Sequence, residues 1–170
     1  MLNQLLVLGL FPALMSFAAA SDLVTMTISN RVSLALAGGF LLMAALGGLD
    51  LATISFHLVA GAVVLAITFG CFACGWMGGG DAKLAAATAL WIGWSPLLLD
   101  YALIASVYGG ILTFALLRLR RYPLPAFATG WTWLARLHSA GTGVPYGIAL
   151  ALGGLAVYPQ TAIWKAVLSV

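Results

Sequence analysis

The chain is written as apolar runs, each near the length of a bilayer crossing, separated by short polar intervals. A helix needs about 20 apolar residues to cross the hydrocarbon region. Inside lipid every backbone N–H and C=O must find its partner within the structure, which selects helices for runs of this kind. With 64% of 170 residues hydrophobic and 6% charged, there is too little polar surface to cover a soluble domain. The expected fold is therefore all-α, a polytopic membrane protein with about six transmembrane helices. The spans fall at about Gln4–Ala20, Val32–Gly48, Ala52–Gly75, Ala82–Pro96, Asp100–Leu117 and Val144–Tyr158, the fourth being the shortest. They leave no room for a second soluble unit, so residues 1–170 are expected to form a single integral-membrane domain.

The first run ends in Ala18-Ala19-Ala20, which looks like a signal-peptidase site. However, Met1 to Gln4 lacks the positive charge of a secretory leader, so the run is read as a retained helix. Gly38-Gly39, Gly109-Gly110 and Gly153-Gly154 are expected to let helix backbones approach closely. Orientation follows from the loop cations. Arg31, Lys83, Arg118, Arg120, Arg121 and Arg136 lie on the loops after spans one, three and five. The loops after spans two and four carry only Asp50 and Asp100, and Lys165 in the tail is the one contrary charge. The odd-numbered loops are thus expected in the cytoplasm and both termini outside. The net charge of +3 sets topology rather than binding nucleic acid. The longest connection, residues 118–143, holds Trp131, Trp133 and Leu134 and reads as a cytoplasmic, interfacial segment. It suits either a substrate-docking lid or a topology anchor.

All four acidic residues are Asp. Asp22 and Asp81 share the cytoplasmic side, Asp50 and Asp100 the other. Two carboxylates at one membrane face have the makings of an aspartic protease dyad, in which one acid holds a proton while the other activates water. Gly78-Gly79-Gly80 reads as a flexible loop without side chains, open to an extended peptide. Asp81 at its end is also a preferred helix N-cap, and the two roles are compatible. Asp22 sits at the membrane edge of a short polar interval, where an ionisable group points to function. Lys83 either favours the ionised dyad, binds lipid phosphate or sets topology. Cys71-Phe72-Ala73-Cys74 lies within span three; two cysteines are half a structural zinc site, and packing is the better reading. No metal or organic cofactor is expected, because the nucleophile is water, and a polar cavity open to the cytoplasm should deliver it. His57 reads as a buried, hydrogen-bonded histidine, His138 has no evident partner, and Asp50 and Asp100 read as caps or turn residues.

These residues carry a resemblance. Gly78-Gly79-Gly80-Asp81-Ala82-Lys83-Leu84 resembles the Gly-x-Gly-Asp motif and Lys-Leu extension of the type IV prepilin peptidases, a family of membrane aspartic proteases. Asp22, with Thr25, Ile28 and Asn30 behind it, resembles the family's first-Asp segment, Asp-x-x-Thr-x-x-Ile-Pro-Asn, with Ser29 in place of the proline. Val144-Pro145-Tyr146-Gly147 resembles the start of its last helix. The resemblance implies cleavage of the leader of pilin-like precursors, next to a glycine, at the cytoplasmic face of the cell inner membrane. It implies Asp22 and Asp81 as the catalytic pair and Gly78, Gly79, Gly80 and Lys83 as the motif loop. With span one beginning near residue 4, the chain resembles the short, peptidase-only form associated with tight-adherence pili. The partners so implied are a pilin-like precursor and the lipid bilayer. Alternatives are a small transporter or ion-relay subunit, a non-catalytic pilus or secretion assembly protein of the same fold, and a presenilin-like protease, which fits the Pro145-Tyr146 region less well.

The charge distribution generates a topology test. A reporter fused after Arg121 should read cytoplasmic and one fused after Asp50 external. Both on one side would break the six-span arrangement.

Overall fold

The computed structural model describes residues 1–125 and 130–168, and all regular structure among them is helical. In chain order the helices are α1 (Leu2–Thr25), α2 (Asn30–Leu46), α3 (Leu51–Ala73), α4 (Gly79–Ile92), α5 (Leu97–Leu119), α6 (Thr132–His138), α7 (Gly147–Val157) and α8 (Ala162–Leu168). A 3-10 turn, Tyr158–Gln160, joins the last two. The helices α1, α3 and α5 have 24, 23 and 23 residues, about 35 Å at 1.5 Å per residue. They are long and apolar enough to cross a membrane, and α7 with α8 forms a fourth candidate path, bent by 46°. The shorter α2, with 17 residues, and α4, with 14, fall below a crossing of about 20. Helices thus occupy all six expected stretches, but six full crossings are not what the helix lengths give.

The helix ends differ from the sequence reading for local reasons. α1 runs on past Ala20 to Thr25 because Ser21 and Thr25 keep their hydroxyls on nearby carbonyls: Thr25 Oγ1 donates to Ser21 O at 2.8 Å and Ser21 Oγ to Thr27 O at 2.9 Å. It stops at Met26, left-handed at φ 57°. α4 stops before Gly93, whose φ of 77° leaves the helix, and Leu97 begins α5 just after Pro96. Pro159 lies in the 3-10 turn that bends the final segment. Part of the long connection is the short α6, where Trp131 and Trp133 stack with centroids 6.2 Å apart. Of the 118–143 segment, residues 126–129 lie outside the described residues.

The short α4 is the centre of the molecule. It packs against α2, α3, α5 and α7 and buries Ala82, Leu84, every residue from Ala85 to Ala89, Trp91 and Ile92. Alanine is the reason it fits: a slim surface lets four neighbours close around one helix. At its far end Trp91, Phe11 and Tyr158 form an aromatic cluster, with Phe11 stacked on Tyr158 at 4.4 Å and tilted to Trp91 at 5.1 Å. The polar ends of these rings are satisfied. Trp91 Nε1 donates to Leu36 O at 2.9 Å and Tyr158 Oη to Val7 O at 2.7 Å. The first bond pins α2 to the central helix, and the second ties the 3-10 turn to α1.

Two of the three glycine pairs split into a packed and an open member, and in the third both are packed. A Cβ on Gly39 would meet Leu10 at 2.9 Å, and one on Gly153 would meet Ala105 Cβ at 3.0 Å, whereas Gly38 and Gly110 face open space. Gly153→Val should therefore lower stability by roughly 1–3 kcal/mol through overpacking, and Gly110→Ala should leave it unchanged. Thermal denaturation in detergent compares the two; equal midpoints would contradict the α5–α7 packing.

Candidate active site

Asp22 stands in the last turn of α1, not on a loop as its polar surroundings suggested. Its side chain is buried, with 5% exposure, and a carboxylate in that position needs a donor. The donor comes from the other end of the chain: Gly147 N–H reaches Asp22 Oδ2 at 2.7 Å. Gly147 opens α7, and first-turn N–H groups have no partner within their own helix. The bond therefore satisfies two needs at once. Only glycine fits, because a Cβ there would lie 2.8 Å from Asp22 Oδ2 and 2.7 Å from Ile28 Cδ1.

Asp81 is the third residue of α4, and Gly78 is the N-cap; the expectation that Asp81 itself caps the helix is corrected. An acid in the third position reaches back to the cap residue's N–H, and the Asp81 carboxylate accepts from Gly78 N–H in this way. The glycine run is likewise helical rather than a flexible loop. Gly79 and Gly80 form the first turn, Gly78 has an ordinary φ of −70°, and none of the three has positive φ. What the run supplies is close approach within the protein. A Cβ on Gly80 would lie 3.2 Å from Ile28 Cβ and 3.4 Å from Ile28 N and O, and one on Gly79 would meet the Phe72 ring at 3.2 Å.

Ile28 is therefore the residue against which Gly80 of α4 and Gly147 of α7 both close. It seats α4, which bears Asp81, beside the α7 start that holds Asp22, near enough for the Asp22 charge to act on Asp81. Asp81 lies at the mouth of α4, outside the long spanning helices. Burial, with the Asp22 charge adding to it, pushes its pKa from 3.8 up to about 7, against the opposing pull of the Gly78 N–H. An acid with that value is half protonated at neutral pH, the condition for proton exchange in either direction.

The remaining sequence candidates divide. Lys83 does not face the dyad: its Nζ donates to Asn30 Oδ1 at 2.9 Å, tying α4 to the start of α2. His57 is buried, with Nδ1 2.6 Å from Leu90 O and its ring stacked on Phe40, as read from the sequence. Asp50 caps α3, accepting from Thr53 N–H at 3.1 Å, and Asp100 lies in the first turn of α5. Cys71 is half buried and Cys74 exposed, both free thiols, so packing accounts for the first only. Among the described residues no group of three His, Cys, Asp or Glu side chains gathers as a metal site.

Two contributors escaped the sequence reading. Gly147 was visible only as part of the Pro-Tyr-Gly resemblance, with no sign of what its N–H would hold. Arg120, read as a topology charge, donates from Nε to Leu137 O at 2.8 Å and from Nη2 to Thr142 O at 3.0 Å and Gly143 O at 2.9 Å. It fastens the strip of chain that leads into Val144-Pro145-Tyr146-Gly147, a fixed start for α7 that no spacing rule announces.

Asp81 opens onto a cavity of about 1020 Å³ between α3, α4 and α5, reached by Gly78, Tyr101, Trp94 and Tyr146 among others. The expected polar cavity is thus mostly apolar, because it follows α4 inward from the acid instead of opening only at the membrane face. Asp81 thus stands at one end of a mostly apolar trough, with Asp22 close enough for its charge to act on it.

A family model for the type IV leader peptidase family matches residues 9–114. The chain belongs to that family, and so to a class of peptidases. The match covers Asp22 and the whole of the Gly78 to Leu84 motif. No curated protein and no solved structure matched the chain.

The Asp81 environment predicts a pH effect on stability. Between about 4 and 7 the folded protein holds a proton that the unfolded chain has lost, so this contribution to stability falls as pH rises through about 7. Asp81→Asn should remove that decline: the variant should melt close to wild type near pH 4 and progressively further above it as pH rises to 8. Parallel melting curves across this range would show that Asp81 has an ordinary pKa.

Proposed function

We propose that this protein is a membrane aspartic endopeptidase that removes the leader of pilin-like precursors, with Asp22 and Asp81 as the catalytic pair. The feature that carries the reading is the pair itself: a buried Asp22 fixed by Gly147 N–H, and an Asp81 whose pKa burial and the Asp22 charge raise to about 7. In the reaction the ionised carboxyl takes a proton from water as its oxygen attacks the scissile carbonyl. The protonated carboxyl gives its proton to the carbonyl oxygen. Collapse of the tetrahedral intermediate sends a proton to the leaving amine, and the pair returns to its one-proton state. Every proton is accounted for within the pair and the water.

Membership of the peptidase family supports hydrolysis, and the loop cations support a cytoplasmic site in an inner-membrane protein with its termini outside. The tight junction of Gly80, Ile28 and Gly147 leaves little room beside the acids, which suits a glycine at the cut. The mostly apolar cavity suits a substrate whose chain next to that glycine is apolar. The transporter alternative asks for carboxylates near mid-membrane, whereas both acids stand in the end turns of their helices. The short, tight-adherence type of substrate follows from the resemblance.

Co-expression with candidate pilin precursors, followed by N-terminal sequencing of the products, tests the reading. Wild type should release a shortened precursor cut beside a glycine. Asp22→Asn and Asp81→Asn should each lose on the order of 10²–10⁴-fold in rate, the usual share of acid–base catalysis. Asp50→Asn and Asp100→Asn should cleave normally. Wild-type turnover by Asp22→Asn would remove it from the mechanism, and cleavage surviving both changes would end the dyad reading.

A further inference from the structure

Lys83 belongs to the motif but serves neither acid. Its side chain leaves on the other side of α4, where α2, α3 and α4 enclose a groove of about 450 Å³. The walls are apolar, formed by Leu34, Ala37, Ala62, Leu65 and Leu90, while Asn30, Ser33 and Lys83 sit together at one end. Leu34 and Leu65 are 70% and 44% exposed, so the groove opens outward between helices that lie in lipid.

The polar end is short of one component, an anion. The Lys83 ammonium has three N–H donors. One goes to Asn30 Oδ1, a neutral acceptor, and among the described residues no carboxylate pairs with it. The carboxylates nearest in sequence are engaged elsewhere: Asp81 turns to Gly78 and Asp22 to Gly147. From Lys83 to Leu90 along α4 the groove runs about 10 Å, at 1.5 Å per residue. A cation with spare donors and an apolar channel leading away from it call for a ligand with an anion joined to a hydrocarbon chain.

We propose that this groove binds one molecule of an anionic glycerophospholipid. Its phosphodiester rests on Lys83 and Asn30, and an acyl chain lies along Leu34, Ala62 and Leu65. Charge-assisted hydrogen bonds to phosphate are the strong kind, and anionic headgroups are abundant at the cytoplasmic face, where Lys83 is expected to lie. A zwitterionic lipid fills the channel equally well but brings its own cation to the headgroup, so Lys83 confers the preference. The site stands apart from the peptidase reading and needs no cleavage to be seen.

Native mass spectrometry of the full chain in mild detergent measures it, with phosphatidylglycerol and phosphatidylcholine of matched acyl chains added in turn. Wild type should retain one phosphatidylglycerol with at least severalfold higher occupancy than phosphatidylcholine. Lys83→Gln should level the two. Ala62→Trp, a change at an exposed position that leaves Lys83 in place, should fill the channel and lower occupancy by both lipids. Equal occupancy on wild type overturns the proposal. So does a preference that survives Lys83→Gln, or an occupancy that Ala62→Trp does not change. If Lys83→Gln fails to fold, the wild-type preference and Ala62→Trp decide alone.

Discussion

The structure turns on one hydrogen bond, from Gly147 N–H to the buried carboxylate of Asp22. Burying a charged group without a partner costs several kcal/mol. Here the partner is a helix-start N–H that would itself be orphaned, so each group removes the other's penalty. The bond dictates much around it. Residue 147 must be glycine, Ile28 must fill the angle between the helices, and Arg120 must hold the approach to α7. The two elements so joined stand 125 residues apart in the chain, and the candidate site lies at their junction.

The same economy explains α4. A helix of 14 residues is too short to cross a bilayer comfortably, yet it is the most enclosed element of the fold. Its alanines let α2, α3, α5 and α7 close around it, and its glycine-rich first turn lets the Ile28 segment press against the backbone. Asp81 is thereby carried on a helix with little freedom to move. An acid whose pKa is displaced by burial must be held in that burial, and packing on several sides does so.

Much of this was legible in the sequence. The apolar runs announced an all-helical membrane protein, and the Asp residues with their flanking motifs pointed to Asp22 and Asp81, where the Asp22 charge acts on Asp81. What could not be read were the relations between distant segments. Nothing near Asp22 signals that its partner is Gly147. Periodicity cannot tell Gly39, pressed on Leu10, from Gly38, which faces open space. Asp81 looked like a cap because Asp favours that position, but the cap is Gly78 and the acid reaches back to it from within the helix. Lys83, two residues from Asp81, had several possible roles from sequence alone, and that spacing on a helix turns its side chain toward another face, to Asn30. Span lengths misled where small residues replaced bulk: α4 needs fewer residues because protein surrounds it.

The chain order of the Asp22–Gly147 contact bears on how the protein is made. Synthesis runs from the N-terminus at roughly 5–20 residues per second. Both acids have therefore left the ribosome well before residue 147 exists. For an interval of several seconds Asp22 lacks its native donor, and α1 has no α7 to rest against. The geometry that gives the acids their chemistry is completed only when the last third of the chain has been delivered. Until α7 is made, the buried seat of Asp22 does not yet exist.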